Sequence, residues 1–251
     1  MDTFKARGLV LRESESGESD KRITLLCVNR GRLTVYARGA RKVKSKFLAA
    51  SQPLTYGDYI IADGGRFYSL NQAEVIEGFY PIREDYNKLC HAHYVLEICE
   101  KAVPDRAPCD ALLKLALKTL QHISSSVITP SQAVDVFLFR FFLFNGIAPE
   151  MGCCCVCGGE TENMSDSTLD NTALFCDEGM VCSKCQSDLE INSDTHISLS
   201  QNAREALRHM LSAELNQAFM FRASESVHEE LALAGQLCWA KHFSVTLLTE
   251  L

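Results

Sequence analysis

An α+β fold is predicted: a small closed β-barrel of five strands, followed by an α-helical domain into which a four-cysteine metal module is inserted. Three observations lead there. Through residue 77 the apolar residues alternate in short runs broken by turn signals, and from about Pro81 they recur every three to four residues. Seven of the twelve cysteines crowd into the 33 residues from Cys153 to Cys185.

The strands come first. Lys5 to Arg12, Arg22 to Asn29, Arg32 to Arg38, Pro53 to Ala62 and Phe67 to Ile76 are rich in Val, Ile, Leu, Thr and Tyr. Gly17, the Asn29-Arg30-Gly31 corner, Gly39, Gly57-Asp58 and Asp63-Gly64-Gly65 separate them. Five short strands in some 75 residues suit a barrel, because closure removes exposed edges. Among such barrels the five-stranded OB-fold is a common platform for nucleic acid.

The helices follow. Leu89, Ala92, Leu96, Cys99 and Val103 mark one amphipathic helix, and Leu113, Leu117, Leu120 and Ile123 a second, with Pro104 and Pro108 between them. A third opens at Thr129-Pro130-Ser131-Gln132, a capping box with Pro at the first helical position, and stops at Asn145-Gly146. Its segment Phe137 to Phe144 is apolar nearly all round, as a central buried helix would be. Arg140 within it must pair with a buried carboxylate or reach a groove, where it would hold an acidic peptide tail. Ser200 caps a helix through Leu211, and Ser226 with Glu229 forms a capping box for a last helix running to about Leu248.

Charge is unevenly spread. The chain carries a formal net charge of -7, yet residues 1–80 hold 13 Lys+Arg against 9 Asp+Glu, whereas residues 81–251 hold 12 against 23. Arg30, Arg32, Arg38, Arg41, Lys42, Lys44 and Lys46 follow one another with no acidic residue between. A positive strip on an acidic protein is the footprint of a polyanion site. We take Arg32, Arg38, Arg41, Lys42, Lys44 and Lys46, in and beside a flexible loop containing Gly39, as DNA-contacting residues. Phosphate contacts of this kind give affinity without sequence selectivity. Tyr36, Tyr59 and Tyr68 are either stacking surfaces for bases or barrel core, since alternation alone does not decide which face is exposed.

Cys154-Cys-Val-Cys157 and Cys182-Ser-Lys-Cys185 form two CxxC pairs. Zinc takes four thiolates in a tetrahedron, and each two-residue gap lets both sulfurs of a tight turn reach one ion. Gly158-Gly159 supplies the turn after the first pair. Cys154, Cys157, Cys182 and Cys185 are the expected ligands of a structural zinc. Cys153 is an alternative to Cys154, Cys155 is poorly spaced, and Cys176 is structural or free. A redox CxxC would be expected at a strand-to-helix junction of a βαβ unit, which is absent from this pattern. Cys27, Cys90, Cys99, Cys109 and Cys238 sit singly and read as small buried hydrophobes.

Enzyme signatures are not found. There is no GxxxxGK[ST] loop and no GxGxxG fingerprint, and His228-Glu-Glu-Leu-Ala232 ends in Ala where a second zinc ligand would stand, so it reads as a helix face. His91 and His93 lie two residues apart on different helix faces. No signal peptide and no membrane span are expected, which points to a soluble, intracellular protein. The alternative class is a zinc-dependent nucleic-acid enzyme or a thiol oxidoreductase using the CxxC pairs.

Gly8-Leu-Val-Leu-Arg12, Gly17-Glu-Ser-Asp20, Ala37-Arg-Gly-Ala-Arg-Lys42 with Lys44-Ser45, Gln52-Pro53, Ala73-Glu-Val-Ile76 and Asn145-Gly-Ile-Ala-Pro149 resemble the RecO family of recombination mediators. The likeness covers nearly the whole chain. It implies an OB-fold DNA-binding domain over residues 1–80, and a helical domain over 81–150 and 191–251 around a zinc-binding insert at 151–190. It further implies a protein without catalytic activity that binds single- and double-stranded DNA and anneals strands without ATP. With RecR, such a protein loads recombinase onto strands coated by single-strand binding protein, whose acidic C-terminal tail is a docking partner.

Overall fold

The computed structural model describes residues 2–103, 105–160, 172–188 and 195–243. Five strands, β1 (Asp2–Ser16), β2 (Asp20–Cys27), β3 (Gly31–Ala37), β4 (Tyr56–Asp63) and β5 (Tyr68–Glu77), form a closed barrel in the order β1-β2-β3-β5-β4. Closure depends on β1, whose 15 residues serve two neighbours. Its first half pairs with β4, as in Lys5↔Ile60, and its second half with β2, as in Arg12↔Thr24. A register shift between Val10 and Arg12 supplies the bend that a strand needs to turn from one neighbour to the other. The other closing seam is short: β3 meets β5 in parallel through Val35↔Tyr68 and Tyr36↔Ser69.

Alternation fills the barrel with Val10, Ile23, Leu25, Leu33, Val35, Tyr59, Ile61 and Leu70, all buried. Tyr59 is wholly buried and its hydroxyl donates to the Ala50 carbonyl at 3.1 Å. It belongs to the core, and of the three tyrosines it alone is removed from the surface; Tyr36 and Tyr68 are half-buried.

Three helices follow: α1 (Tyr80–Arg83), α2 (Tyr86–Ala102) and α3 (Asp110–Ser125). Asp85 starts α2, its side chain accepting the Lys88 N–H at 3.1 Å. The buried face of α2 holds Ala92, Val95, Leu96 and Cys99, and the helix packs on β1. Gly31 makes the approach of the α2–α3 connection possible. A Cβ there would stand 2.0 Å from the Ala107 carbonyl oxygen, and φ is +63°. Accordingly the first compact unit runs to Pro130 and contains barrel and α1–α3 together, and the second begins at Ser131. Compactness divides the chain inside the stretch 81–150 that periodicity groups as one helical domain. The apolar faces of α2 and α3 have the barrel to cover.

The second unit is built on α4 (Pro130–Phe144), in which residues 132–142 are all buried. Around it lie α6 (Gln201–Ser212), α7 (Glu225–His242), the short α5 (Ser183–Asp188) and a sheet ordered β7-β6-β8, from β6 (Thr172–Cys176), β7 (Gly179–Met180) and β8 (His196–Ser200). The sheet was not anticipated, because strands of two to five residues flanking cysteine turns are too short to display a period. Ser200 caps α6 by accepting the Ala203 N–H at 3.2 Å, as expected. The capping box at Ser226 is not formed: α7 begins at Glu225, with Ser224 at its N-cap making no side-chain capping bond. The expected helical residues 244–248 lie outside the described residues.

Two ionisable side chains of α4 are buried. Arg140 is buried and has no carboxylate partner among the described residues. Its guanidinium donates to the carbonyls of Leu211 and Ala213, where α6 ends and a cation is favoured. Asp135 accepts from His228 Nδ1 at 2.6 Å in a buried pair, so the His228 helix face is turned inward and His228 is an internal partner. Burial pushes the Asp135 carboxyl up to about 6 although the histidine opposes the shift. No helix among the described residues is long and apolar enough to cross a membrane.

Candidate metal centre and nucleic-acid interface

The four sulfurs of Cys154, Cys157, Cys182 and Cys185 lie within 4.8 Å of one another. Four thiolates around an ion at about 2.3 Å stand roughly 3.8 Å apart. The Cys157 and Cys182 sulfurs, 3.7 Å apart, already stand at that spacing. The first knuckle is a turn in which Gly158 N donates to the Cys154 carbonyl at 2.8 Å and Cys154 N to the Gly159 carbonyl at 2.7 Å. Gly158 has φ +70°, the left-handed conformation that its position in the sequence suggested. In the second knuckle Cys182 precedes α5 and Cys185 sits in its first turn.

Backbone groups prepare the site for negative charge. Burial works against a thiolate at Cys154, but N–H groups of Cys182, Cys157 and Val156 point at its sulfur and bring its pKa down to about 6. The Cys182 N–H lies 3.3 Å from that sulfur. Cys153 stands outside the group, which removes the ambiguity in the Cys153-Cys154-Cys155 run. Cys155 and Cys176 also stand outside the group: their sulfurs touch each other at 3.4 Å, beside Leu174 and Val181 in a small core behind the knuckles. The arrangement can hold a metal ion with a closed shell of four thiolates, which suits a structural site.

The basic strip lies between β3 and β4. Its backbone winds through successive turns, with Lys42 N bonded to the Gly39 carbonyl at 3.1 Å and Ser45 N to the Lys42 carbonyl at 2.9 Å. Ala40, Phe47 and Ala50 plug it into the barrel core. The Gly39 N–H donates to Asp20 at 2.7 Å and the Arg41 N–H to the Ser19 carbonyl at 3.0 Å, so the loop is anchored at Gly39–Arg41 to the turn between β1 and β2.

Its cations are not equivalent. Arg38, Lys42 and Lys44 are exposed, and none has a carboxylate partner among the described residues. Arg41 reaches Glu15 at 2.8 Å, and Lys46 donates to the Asn71 carbonyl at 2.9 Å. Arg32 projects elsewhere, from the outer face of β3, where it meets Asp105 at 2.8 Å and the Glu100 carbonyl.

Aromatic rings lie beside these cations. Tyr36 and Phe67 meet edge to face at 5.4 Å, Phe67 is 54% exposed, and the Arg66 guanidinium lies 5.3 Å from its ring. Phe4 and Tyr68 meet at 5.6 Å and pack on the barrel core, covered by Arg30 and Arg106. Phe67, Arg66, Arg12 and Arg22 escaped the sequence reading. The signal that would have found them is strand register, which single-strand alternation does not contain.

The family model for the recombination protein O N terminal domain matches residues 1–79, and that for the C terminal domain matches residues 83–240. The DNA repair protein RecO of Acetivibrio thermocellus is 34% identical, covering 94% of this chain and 90% of its own length. That of Alkaliphilus metalliredigens is 27% identical over 91% of this chain and 89% of its own. That of Bacillus pumilus is 33% identical over 72% and 68%. These relatives are named for repair and not for a reaction. With both domain models matched in order and a relative alike from end to end, the chain belongs to the RecO family of DNA repair and recombination proteins.

Proposed function

We propose that this chain is a non-catalytic recombination mediator. It binds single- and double-stranded DNA through the barrel, anneals complementary strands without ATP, and works in the cytoplasm at the nucleoid. It acts with RecR to load recombinase onto strands coated by single-strand binding protein, whose acidic C-terminal tail it engages. In this reading residues 1–80 are an OB-fold, supported by the strand order β1-β2-β3-β5-β4 and the parallel β3–β5 seam. Residues 81–150 and 191–251 form the helical part. Residues 151–190 carry a structural zinc on Cys154, Cys157, Cys182 and Cys185, a donor set of four soft ligands suited to that ion.

The observation that carries the reading is the anchored loop presenting Arg38, Lys42 and Lys44 to solvent without an internal carboxylate, on a protein of net charge -7. Phosphates are the ligand such a cluster recognises, with Arg41 and Lys46 in supporting positions and Arg32 on the adjoining face. Neutralising Arg38, Lys42 and Lys44 together should flatten the salt dependence of single-strand binding by about 2, at ~0.7 per phosphate lost. It should weaken all sequences alike and slow annealing of complementary strands, with metal content unchanged. A triple variant that binds and anneals like wild type at several salt concentrations places the DNA on another surface.

A further inference from the structure

The outward faces of β1, β2 and β3 carry a second set of cations that register, not sequence proximity, brings together. Arg12 stands opposite Thr24, which stands opposite Thr34, and Ser14 stands opposite Arg22. Between them Ile23, Leu33 and Val35 point into the core, so Arg12, Arg22 and Arg32 share the outer side with three hydroxyls. Together with Glu100 and Asp105 these six residues line one concavity of about 220 Å³. Three guanidinium groups interleaved with Ser and Thr hydroxyls are the donor set that a phosphodiester backbone takes.

Two carboxylates already sit in it. Arg32 Nε lies 2.8 Å from Asp105 Oδ1, and Arg12 lies 3.5 Å from Glu100 Oε1. Arg22 donates to Ser14 Oγ at 3.2 Å and has no carboxylate among the described residues. Glu100 is not where helix physics would put it. Glu100 lies in the last turn of α2, where the helix dipole disfavours negative charge. Asp105 is pinned to β3 by a parallel bridge with Arg32, and the next residue, Arg106, holds φ +60° while its N–H bonds the Arg32 carbonyl at 3.2 Å. The positive φ of Arg106 and the helix-end position of Glu100 accompany the placement of these two carboxylates on arginines.

We propose that the outer face of β1–β3 is a second track for the backbone of single-stranded DNA, held closed by Glu100 and Asp105 acting as internal stand-ins for phosphates. The inference rests on the DNA-binding reading above. Each pair is a single guanidinium–carboxylate contact, and a guanidinium that pairs with a carboxylate oxygen pairs equally with a phosphate oxygen, so each acid is displaced by the ligand it imitates. A free phosphate must compete with a tethered carboxylate and does so poorly. A strand already held by the 38–46 loop brings its next phosphates at high local concentration and opens the track. Tyr36, opposite Arg22 on β3 and against Phe67, borders this face and offers a ring to a base.

The test is the salt dependence of binding of a fluorescein-labelled oligothymidylate to the full chain, read by anisotropy. Glu100→Gln with Asp105→Asn should tighten binding about tenfold at low salt and steepen the slope by roughly 1.4, two contacts at ~0.7 each. Adding Arg12→Ala and Arg22→Ala should abolish the gain. Glu74→Gln with Glu84→Gln, the same charge change at exposed sites, should leave the slope unaltered. Should the double variant lose thermal stability, Glu100→Gln alone removes only the longer ion pair and is expected to steepen the slope by about 0.7. An unchanged or weaker affinity in folded Glu100→Gln, or a gain matched by the Glu74/Glu84 control, overturns the proposal. Failure of the 38–46 loop is separate: it shows as wild-type binding by the Arg38, Lys42, Lys44 variant, whatever the Glu100 variant does.

Discussion

The cysteine knuckles and the basic loop are both dense runs of one chemistry, and folding treats them differently. In the knuckles, the four residues picked out by spacing converge within 4.8 Å, and Cys153 and Cys155, their neighbours in sequence, are excluded. In the basic strip, residues adjacent in sequence disperse: Arg38, Lys42 and Lys44 reach solvent, Arg41 turns to Glu15, Lys46 to Asn71, and Arg32 to another face of the barrel. A tight turn fixes both sulfurs of a CxxC within a few residues, so its geometry is local. A cation at the end of a long side chain takes its partner from whatever strand or loop folding places beside it. The difference teaches that ligand spacing transfers from sequence to space, whereas charge density transfers only as a total.

The contrast is most sharply tested at the metal site. Cys154→Ser or Cys182→Ser should abolish stoichiometric metal and expose the insert to limited proteolysis, because structural zinc contributes roughly 10–16 kcal/mol of apparent binding energy in small modules. Oligonucleotide affinity should stay as in wild type if the loop acts by itself. Full metal content in either variant would falsify the assignment of these ligands.

Within the strip the expected effects are smaller and unequal. Lys42→Ala should reduce the salt slope by about 0.7, whereas Arg41→Ala should reduce it by clearly less, since Glu15 already neutralises part of that charge. Equal losses at the two positions would mean that the Arg41 ion pair does not persist when DNA binds.

The tyrosines extend the contrast to residues of one type. Tyr36→Ala should weaken single-strand binding by about 1 kcal/mol, near the lower end of what a stacked base is worth, because Phe67 already covers one edge of the ring. Tyr59→Phe should leave binding untouched and lower thermal stability by about 1 kcal/mol, the worth of a buried hydrogen bond such as that to Ala50. A binding defect in Tyr59→Phe with normal stability would reverse the two roles.

Much of the architecture was legible in one dimension. The five barrel strands follow from period-2 runs and their turns, and α2, α3, α4 and α6 from 3.6-residue spacing with caps at Ser200 and prolines between. The convergence of Cys154, Cys157, Cys182 and Cys185 follows from two gaps of two residues. These are local signals, carried by residues within a turn or two of one another, and neighbouring packing rarely overrides them. Folding in three dimensions decided the rest: that Tyr59 is core and Tyr36 is not, that Arg140 ends a helix, that α2 and α3 join the barrel, and that Arg12, Arg22 and Arg32 share one concavity with Glu100 and Asp105. Each depends on strand register or on which apolar face covers which. Such pairings join residues tens of positions apart, and a shift of one residue would send every side chain of a strand to its opposite face.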